Sequence, residues 1–215
     1  MFKKTRVGSL NFIINSSKSL IMLHPNSKVQ LINKDKGFGV VATSFIAKGT
    51  FTWVQDSLDR VFTRKQYQAF SDSYKDILDT YTFRNKKGQY VLCWDNARFV
   101  NHSFNSNCLS SAYDFEIAIR DIQEGEELTD DYGYLNIKEP FKGIEEGSKR
   151  KYVYPNDLTK YYKVWDKKLF SAIKYVELVE QPLKEYIPKQ NWRIAIEIAR
   201  GIKSMESILS LYYKD

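Results

Sequence analysis

"SSAYDFEIAIRDIQEGEELTDDYGY", residues 110–134, is the stretch on which the reading of this 215-residue chain turns. Phe115, Ile117 and Ile119 alternate with their neighbours, the pattern of a strand buried on one side. Beyond them Glu126, Glu127, Asp130 and Asp131 form a local acidic cluster ahead of Tyr132. Such a run reads as a solvated turn or as a surface that attracts a basic peptide.

Upstream, "VQLINKDKGFGVVATSFIAKGTFTWVQ" (29–55) predicts strands around 29–33, 38–43 and 50–55, with a turn at Gly37 and Gly39. Tyr67, Phe70, Tyr74, Ile77 and Leu78 fall at helical spacing, so "TRKQYQAFSDSYKDILDT" (63–80) predicts one helix started by Thr63. Tyr90 to Trp94 is a further β-prone run. After Pro140 the character changes: "FKGIEEGSKRK" reads as a connector, and three helical patterns follow from Asp157, broken by Pro182, Pro188 and Gly201. The body is mixed α+β and the tail helical, with no internal repeat.

Composition narrows the class. Hydrophobic content of 43% and aromatic content of 15% predict a packed globular chain with its own core. Cys93 and Cys108 lie far from any CxxC spacing, so neither a zinc knuckle nor a disulfide framework follows, and a reducing intracellular compartment fits them. Polar residues Asn15 to Lys18 interrupt any signal-like apolar run, and no stretch approaches a bilayer span, so a soluble, cytoplasmic protein is expected, with nuclear or exported life compatible. Residues 141–215 carry 15 Lys and Arg against 10 Asp and Glu, which places most of the net charge of +7 in the tail. That excess reads as a solvated helical face and gives no ground for expecting nucleic acid as a direct substrate.

"RFVNHSFNSNC" (98–108) holds one of only two histidines. His102 directly precedes Ser103, which does not suit a nucleophile–base pair, and no G-x-S-x-G elbow exists. His24 is distant and no acid or thiol stands at ligand spacing, so a metal site is a poor reading. A polar turn satisfying its own backbone remains open. Asn101 donates and accepts through its amide, and together with His102 it also suits a ligand with an adenine edge and an amino-acid end.

Three segments, "KGFGVVATSFIAKGTF" (36–51), "RFVNHSFNSNC" (98–108) and "IAIRDIQEGEELTDDYGY" (117–134), stand together in an order and spacing that resemble the SET domain of protein-lysine methyltransferases. The resemblance covers residues 25–136. It implies a β-rich SET fold of short curved sheets with pseudoknot-like threading, preceded by an extension (1–24) and followed by a connector (137–156) and a helical segment (157–215). It implies S-adenosylmethionine as cofactor, contacted by Lys36, Gly37, Phe38, Gly39, Arg98, Asn101, His102 and Tyr132. The partner implied is a protein or peptide bearing lysine, histones included; no membrane is implied and no oligomeric state follows. The competing expectation is a catalytically silent SET-like interaction module.

By the same resemblance Tyr132 is the residue that carries chemistry. Methyl transfer to lysine needs a neutral, aligned amine in a dry site, whereas free lysine titrates near ~10.4. A tyrosine hydroxyl and carbonyl oxygens orient such an amine. Ser106 replaces a proline usual in the family. Asp130 replaces an aromatic residue that limits successive methylations, so either Tyr134, Tyr113 or another aromatic closes the lysine channel, or the channel is more open and polar. The cysteine-rich zinc module found after many such domains is missing, and Tyr161, Tyr162 and Trp165 of the tail are its substitutes at the channel or plain helix core.

Overall fold

The computed structural model describes residues 22–144 and 146–214. Strands β1 (Ser27–Asn33) and β2 (Gly37–Ala42) pair antiparallel. Asn33 fixes the turn between them, its Oδ1 accepting from the N–H groups of Asp35 (2.9 Å) and Lys36 (2.8 Å). β3 (Phe51–Val54) follows a tight Lys48-Gly49 turn, where Gly49 has φ +93°. A side chain at Gly49 would meet Cβ of Tyr175 at 2.5 Å and the Ala172 carbonyl at 3.0 Å, so this turn seats the tail as well as starting a strand.

The run 63–80 is not one helix. Thr63 caps α1 (Arg64–Ala69) through a capping box with Gln66, as its position predicts. Phe70 and Ser71 are then extended, with ψ 151° and 161°, before α2 (Asp72–Tyr81) begins. Phe70 turns inward at this break to meet Phe62 edge-on at 5.5 Å, and a small apolar cluster of Phe62, Leu78 and Tyr90 forms beneath it. That cluster backs a three-stranded sheet ordered β4 (Arg60–Phe62), β6 (Tyr90–Leu92), β5 (Thr82–Arg84).

Two further sheets make the body. β9 (Phe115–Ala118) lies between β3 and β8 (Cys108–Ser110). β10 (Glu127–Asp130) joins β2 antiparallel on one side and β7 (Asn101–His102) in parallel on the other, with Thr129 opposite Asn101 and Asp130 opposite His102. A parallel pair requires a crossover rather than a hairpin. Here the crossover runs through β8 and β9 and brings two distant motif segments side by side.

The connector is not featureless: β11 (Phe141–Lys142) and β12 (Tyr152–Val153) form a hairpin. Nor is the tail an appendage. α3 (Asp157–Ile173) and α4 (Lys189–Ala199) contribute Trp165, Leu169, Ala172, Ile173, Ala195 and Ile198 to the core that also holds Phe51, Phe115, Ile117 and Tyr134. At the other end the body takes in Met22 to His24, for Leu23 is buried and bridges Trp53. The rest of the expected extension, 1–21, lies outside the described residues. No helix among the described residues is long and apolar enough to cross a membrane.

Candidate active site

The glycine turn and β7 meet through one polar chain. Lys36 Nζ donates to Glu127 Oε2 at 2.9 Å, and Asn101 Nδ2 donates both to Glu127 Oε1 (2.8 Å) and to the Phe38 carbonyl (3.0 Å). Gly37 takes φ +72°, with open space where a Cβ would stand, so its requirement is conformational. Gly39 is different: a Cβ there would lie 2.5 Å from Glu127 Oε1 and 2.9 Å from Asn101 Nδ2. Gly39 therefore leaves Asn101 its place.

His102 is wedged among Phe104, Tyr132 and Phe141, with ring centroids at 4.5, 5.4 and 5.4 Å. Its Nδ1 accepts the backbone N–H of Tyr132 at 3.2 Å, which puts the proton of the neutral ring on Nε2. Burial favours that neutral form by lowering the imidazole pKa. Nε2 is buried and has no partner among the described residues. An orphaned donor beside an amide whose place Gly39 keeps open fits the polar cofactor that the motifs imply.

Tyr132 joins this cradle to a pocket. Its hydroxyl donates to the Val100 carbonyl at 2.6 Å, which leaves the oxygen lone pairs as acceptors. Burial, with Asp130 and Glu116 nearby, pushes the phenol pKa up, so Tyr132 stays protonated. The pocket has a volume of about 490 Å³ and is walled by Trp53, Tyr81, Phe83, Tyr90, Phe141 and Tyr132 together with Glu116 and Asp130. Arg98 also lines it, its guanidinium over Phe99 at 5.1 Å and its Nη1 donating to the Trp94 carbonyl at 3.3 Å. The turn Lys36–Gly39 and Asn101 lie outside that wall, so Arg98 belongs to the pocket rather than to the turn.

The aromatics expected at the channel divide. Asp130 lines the pocket. Tyr134 lies behind it, its hydroxyl accepting from Ser110 N–H at 2.9 Å, and lines a smaller adjoining cavity of about 210 Å³. Tyr113 is stacked on Phe115 in the core and accepts from Glu206 N–H at 2.6 Å, so it closes nothing. Trp165 and Tyr161 are drawn away by Asp131: Trp165 Nε1 donates to Asp131 Oδ2 at 3.2 Å, and Arg150, paired with Asp131 and Asp157, lies 4.4 Å over the Tyr161 ring. Tyr162 packs against the same core. The aromatic walls come instead from Trp53, from the edge of the 60–92 sheet and from the hairpin Phe141.

Glu116 is a site residue that motif reading passes over, although the signal was present. With Phe115, Ile117 and Ile119 facing one way, Glu116 must face the other, and all four residues of β9 are buried. Thr52 Oγ1 donates to Glu116 Oε1 at 2.6 Å, and Glu116 and Asp130 line the same pocket. Burial first, and then the Glu116 charge, push the Asp130 carboxyl well above the ordinary carboxylate range. Burial also raises Glu116, while the hydrogen bonds from Thr52 and Asp130 hold it back. Among the described residues no group of three or more His, Cys, Asp and Glu side chains could hold a metal ion.

Comparison with known proteins agrees with this geometry. The family model of the SET domain matches residues 37–133, from the glycine turn to the residue after Tyr132. Histone-lysine N-methyltransferase ash1 of Drosophila melanogaster is 31% identical over 116 residues, which are 49% of this chain and 5% of that protein. Residues 37–133 are thus the part of the chain that is similar to the SET domain. The chain spans only 5% of the length of that curated relative.

Proposed function

We propose that this protein is an S-adenosylmethionine-dependent protein-lysine N-methyltransferase. The observation that carries the reading is the pairing of β7 with β10, which sets Asn101 and His102 beside Thr129 and Asp130 and so brings the cradle up against Tyr132 and its pocket. When bound, the cofactor supplies an electrophilic methyl group on a sulfonium. Asn101, His102 and the Lys36–Gly39 turn would hold it.

The remaining work falls to the chain. The aromatic pocket takes the aliphatic stem of lysine and strips water from its end. The Tyr132 oxygen accepts an N–H of the amine, and the Val100 carbonyl fixes the direction of that acceptor. Because the phenol stays protonated, Tyr132 positions the amine rather than taking its proton. The name of the ash1 relative supports histones as a substrate class to try first.

The reading is tested by incubating the protein with tritium-labelled S-adenosylmethionine and a core-histone mixture, alongside Tyr132→Phe. Label on lysine from the wild type, reduced at least about a hundredfold by the substitution, is expected for loss of a positioning hydroxyl. Equal labelling by both forms would contradict the role given to Tyr132.

A further inference from the structure

Resting on the reading of the cradle and Tyr132 as one methyl-transfer site, we propose that Arg150 is the positioning residue of that site, holding the His102 and Tyr132 segments in register from the connector. Arg150 stands outside the matched residues 37–133 and belongs to none of the three motif segments. Its side chain is 18% exposed, and its guanidinium forks between two buried carboxylates. Nη1 donates to Asp131 Oδ2, and Nη2 donates to Asp157 Oδ2 at 2.8 Å. A planar fork that meets two carboxylates through separate nitrogens is a task for arginine, because a lysine ammonium is a single point charge.

Both sides of the guanidinium lead into the site. Asp131 immediately precedes Tyr132, and its Oδ1 accepts the Gly133 N–H at 3.0 Å, so this carboxylate caps the short turn Tyr132–Tyr134 that carries the phenol. The face of the guanidinium lies over the Phe104 ring at 4.7 Å, and Phe104 meets the His102 ring edge-on at 4.5 Å. His102 Nδ1 in turn accepts the Tyr132 N–H at 3.2 Å. The contacts close a ring that runs from Arg150 through Asp131, Tyr132, His102 and Phe104 back to Arg150. Asp157, the first residue of α3, fastens that ring to the helical tail.

Gly133 is an independent sign that the fork has a reserved place. Its backbone lies outside the left-handed region, so conformation does not call for glycine there, yet a Cβ would stand 2.8 Å from Arg150 Nη2 and 3.0 Å from Trp165 Cη2. The turn after Tyr132 is bare, and the guanidinium closes on Asp131 through that gap. Charge acts alongside geometry. Burial is the first cause that lowers the His102 pKa, and the Arg150 charge lowers it further, while Asp131 and Glu146 act in the opposite sense. Displacing the fork therefore disturbs His102 and Tyr132 together, and small misplacements of reacting groups are costly in rate.

The test compares the full-length wild type with Arg150→Lys, Arg150→Gln and Leu169→Ala, the last weakening the shared core away from the ring. Transfer of label from tritiated S-adenosylmethionine is measured across core-histone concentration, at a temperature where every form is folded. Arg150→Lys keeps the charge and loses the fork. Its labelling at saturating histone is expected to fall at least about tenfold, with the half-saturating concentration changed less than about twofold, whereas folded Leu169→Ala labels as the wild type does. In Arg150→Gln the His102 imidazole, followed by NMR beside the one other histidine, His24, should titrate at a higher pH than in the wild type; in Leu169→Ala it should not move. Wild-type labelling by Arg150→Lys, an equal loss in folded Leu169→Ala, or an unmoved His102 in folded Arg150→Gln overturns the proposal. If the arginine variants do not fold, Gly133→Ala, which crowds the fork without removing a charge, decides: the same loss of labelling supports the ring and full labelling refutes it. The His102 titration needs no substrate, so it judges the ring even where the wild type labels no histone. A wild type that also fails to bind S-adenosylhomocysteine removes the methyltransferase reading instead.

Discussion

Gly39 and Asn101 show how a single missing Cβ makes room for a polar group. The atoms that a methyl at Gly39 would strike are Glu127 Oε1, Ile32 Cγ1 and Asn101 Nδ2, all in side chains rather than backbone. These three side chains are half-buried and can shift, so Gly39→Ala should leave thermal stability within about 1 kcal/mol of wild type while displacing the Asn101 amide. The expected result is a chain that melts normally yet binds S-adenosylhomocysteine at least about tenfold more weakly. Calorimetry beside a melting curve checks both halves. His24 illustrates a different residue-scale effect. Buried at 3% exposure, its ring is held neutral with a pKa lowered by desolvation from 6.5 to about 4. As pH falls through 6.5 the unfolded chain takes up a proton that the folded chain refuses, so stability drops until pH is near 4. The loss is on the order of 3 kcal/mol. Asp59, raised to about 6, works in the opposite sense over the same range, so the effect is read as a difference. The stability gap between wild type and His24→Gln, measured by urea unfolding, should narrow steadily from pH 7 to pH 4.

At the scale of elements, legibility depended on whether one face of a segment decided its structure. Thr63 announced its helix because a cap is a local signal, and the helix broke at Phe70 because the call inward came from Phe62, a residue of another strand. β9 was legible through Phe115, Ile117 and Ile119, but its second buried face, where Glu116 sits, was not, since alternation marks only the apolar side. Tyr132, Asn101 and Gly39 could be named because their order along the chain is shared with a family. The aromatic walls could not, because Trp53, Tyr81, Phe83, Tyr90 and Phe141 come from five elements with no common spacing. Nor did the sequence disclose that Asp131 ties α3 to the site. Its carboxylate accepts from Gly133 N–H at 3.0 Å, from Trp165 Nε1 and from Arg150, whose guanidinium also lies over Phe104. Asp131→Ala leaves Arg150 and the Trp165 indole without that acceptor. It should cost about 3–5 kcal/mol in urea unfolding, the range for a broken buried pair.

For the whole molecule, the region matched by the SET family model and the region that can fold are not the same. Phe51, Phe115, Ile117 and Tyr134 share one core with Trp165, Leu169, Ala172, Ile198 and Ile208, and Asp166 clamps the final turn by accepting from Ser207 Oγ (2.6 Å) and Ile208 N–H (2.8 Å). Asn136 makes a second tie, its Nδ2 donating to the carbonyls of Arg84 (3.0 Å) and Leu211 (2.9 Å). Removing residues 157–215 would therefore open a core face rather than trim a surface. The truncated chain is expected to lose cooperative thermal unfolding and to expose apolar surface to a hydrophobic dye, and a sharp melt near that of the full chain would refute the shared core.

The central claim is that the glycine turn, Asn101 and His102 form a cofactor cradle set against Tyr132. Calorimetric titration of the full chain with S-adenosylmethionine, repeated on Asn101→Ala, tests it most directly. One saturable site in the wild type, abolished in a variant that melts normally, is the predicted result; a well-folded wild type that takes up no cofactor would contradict the claim.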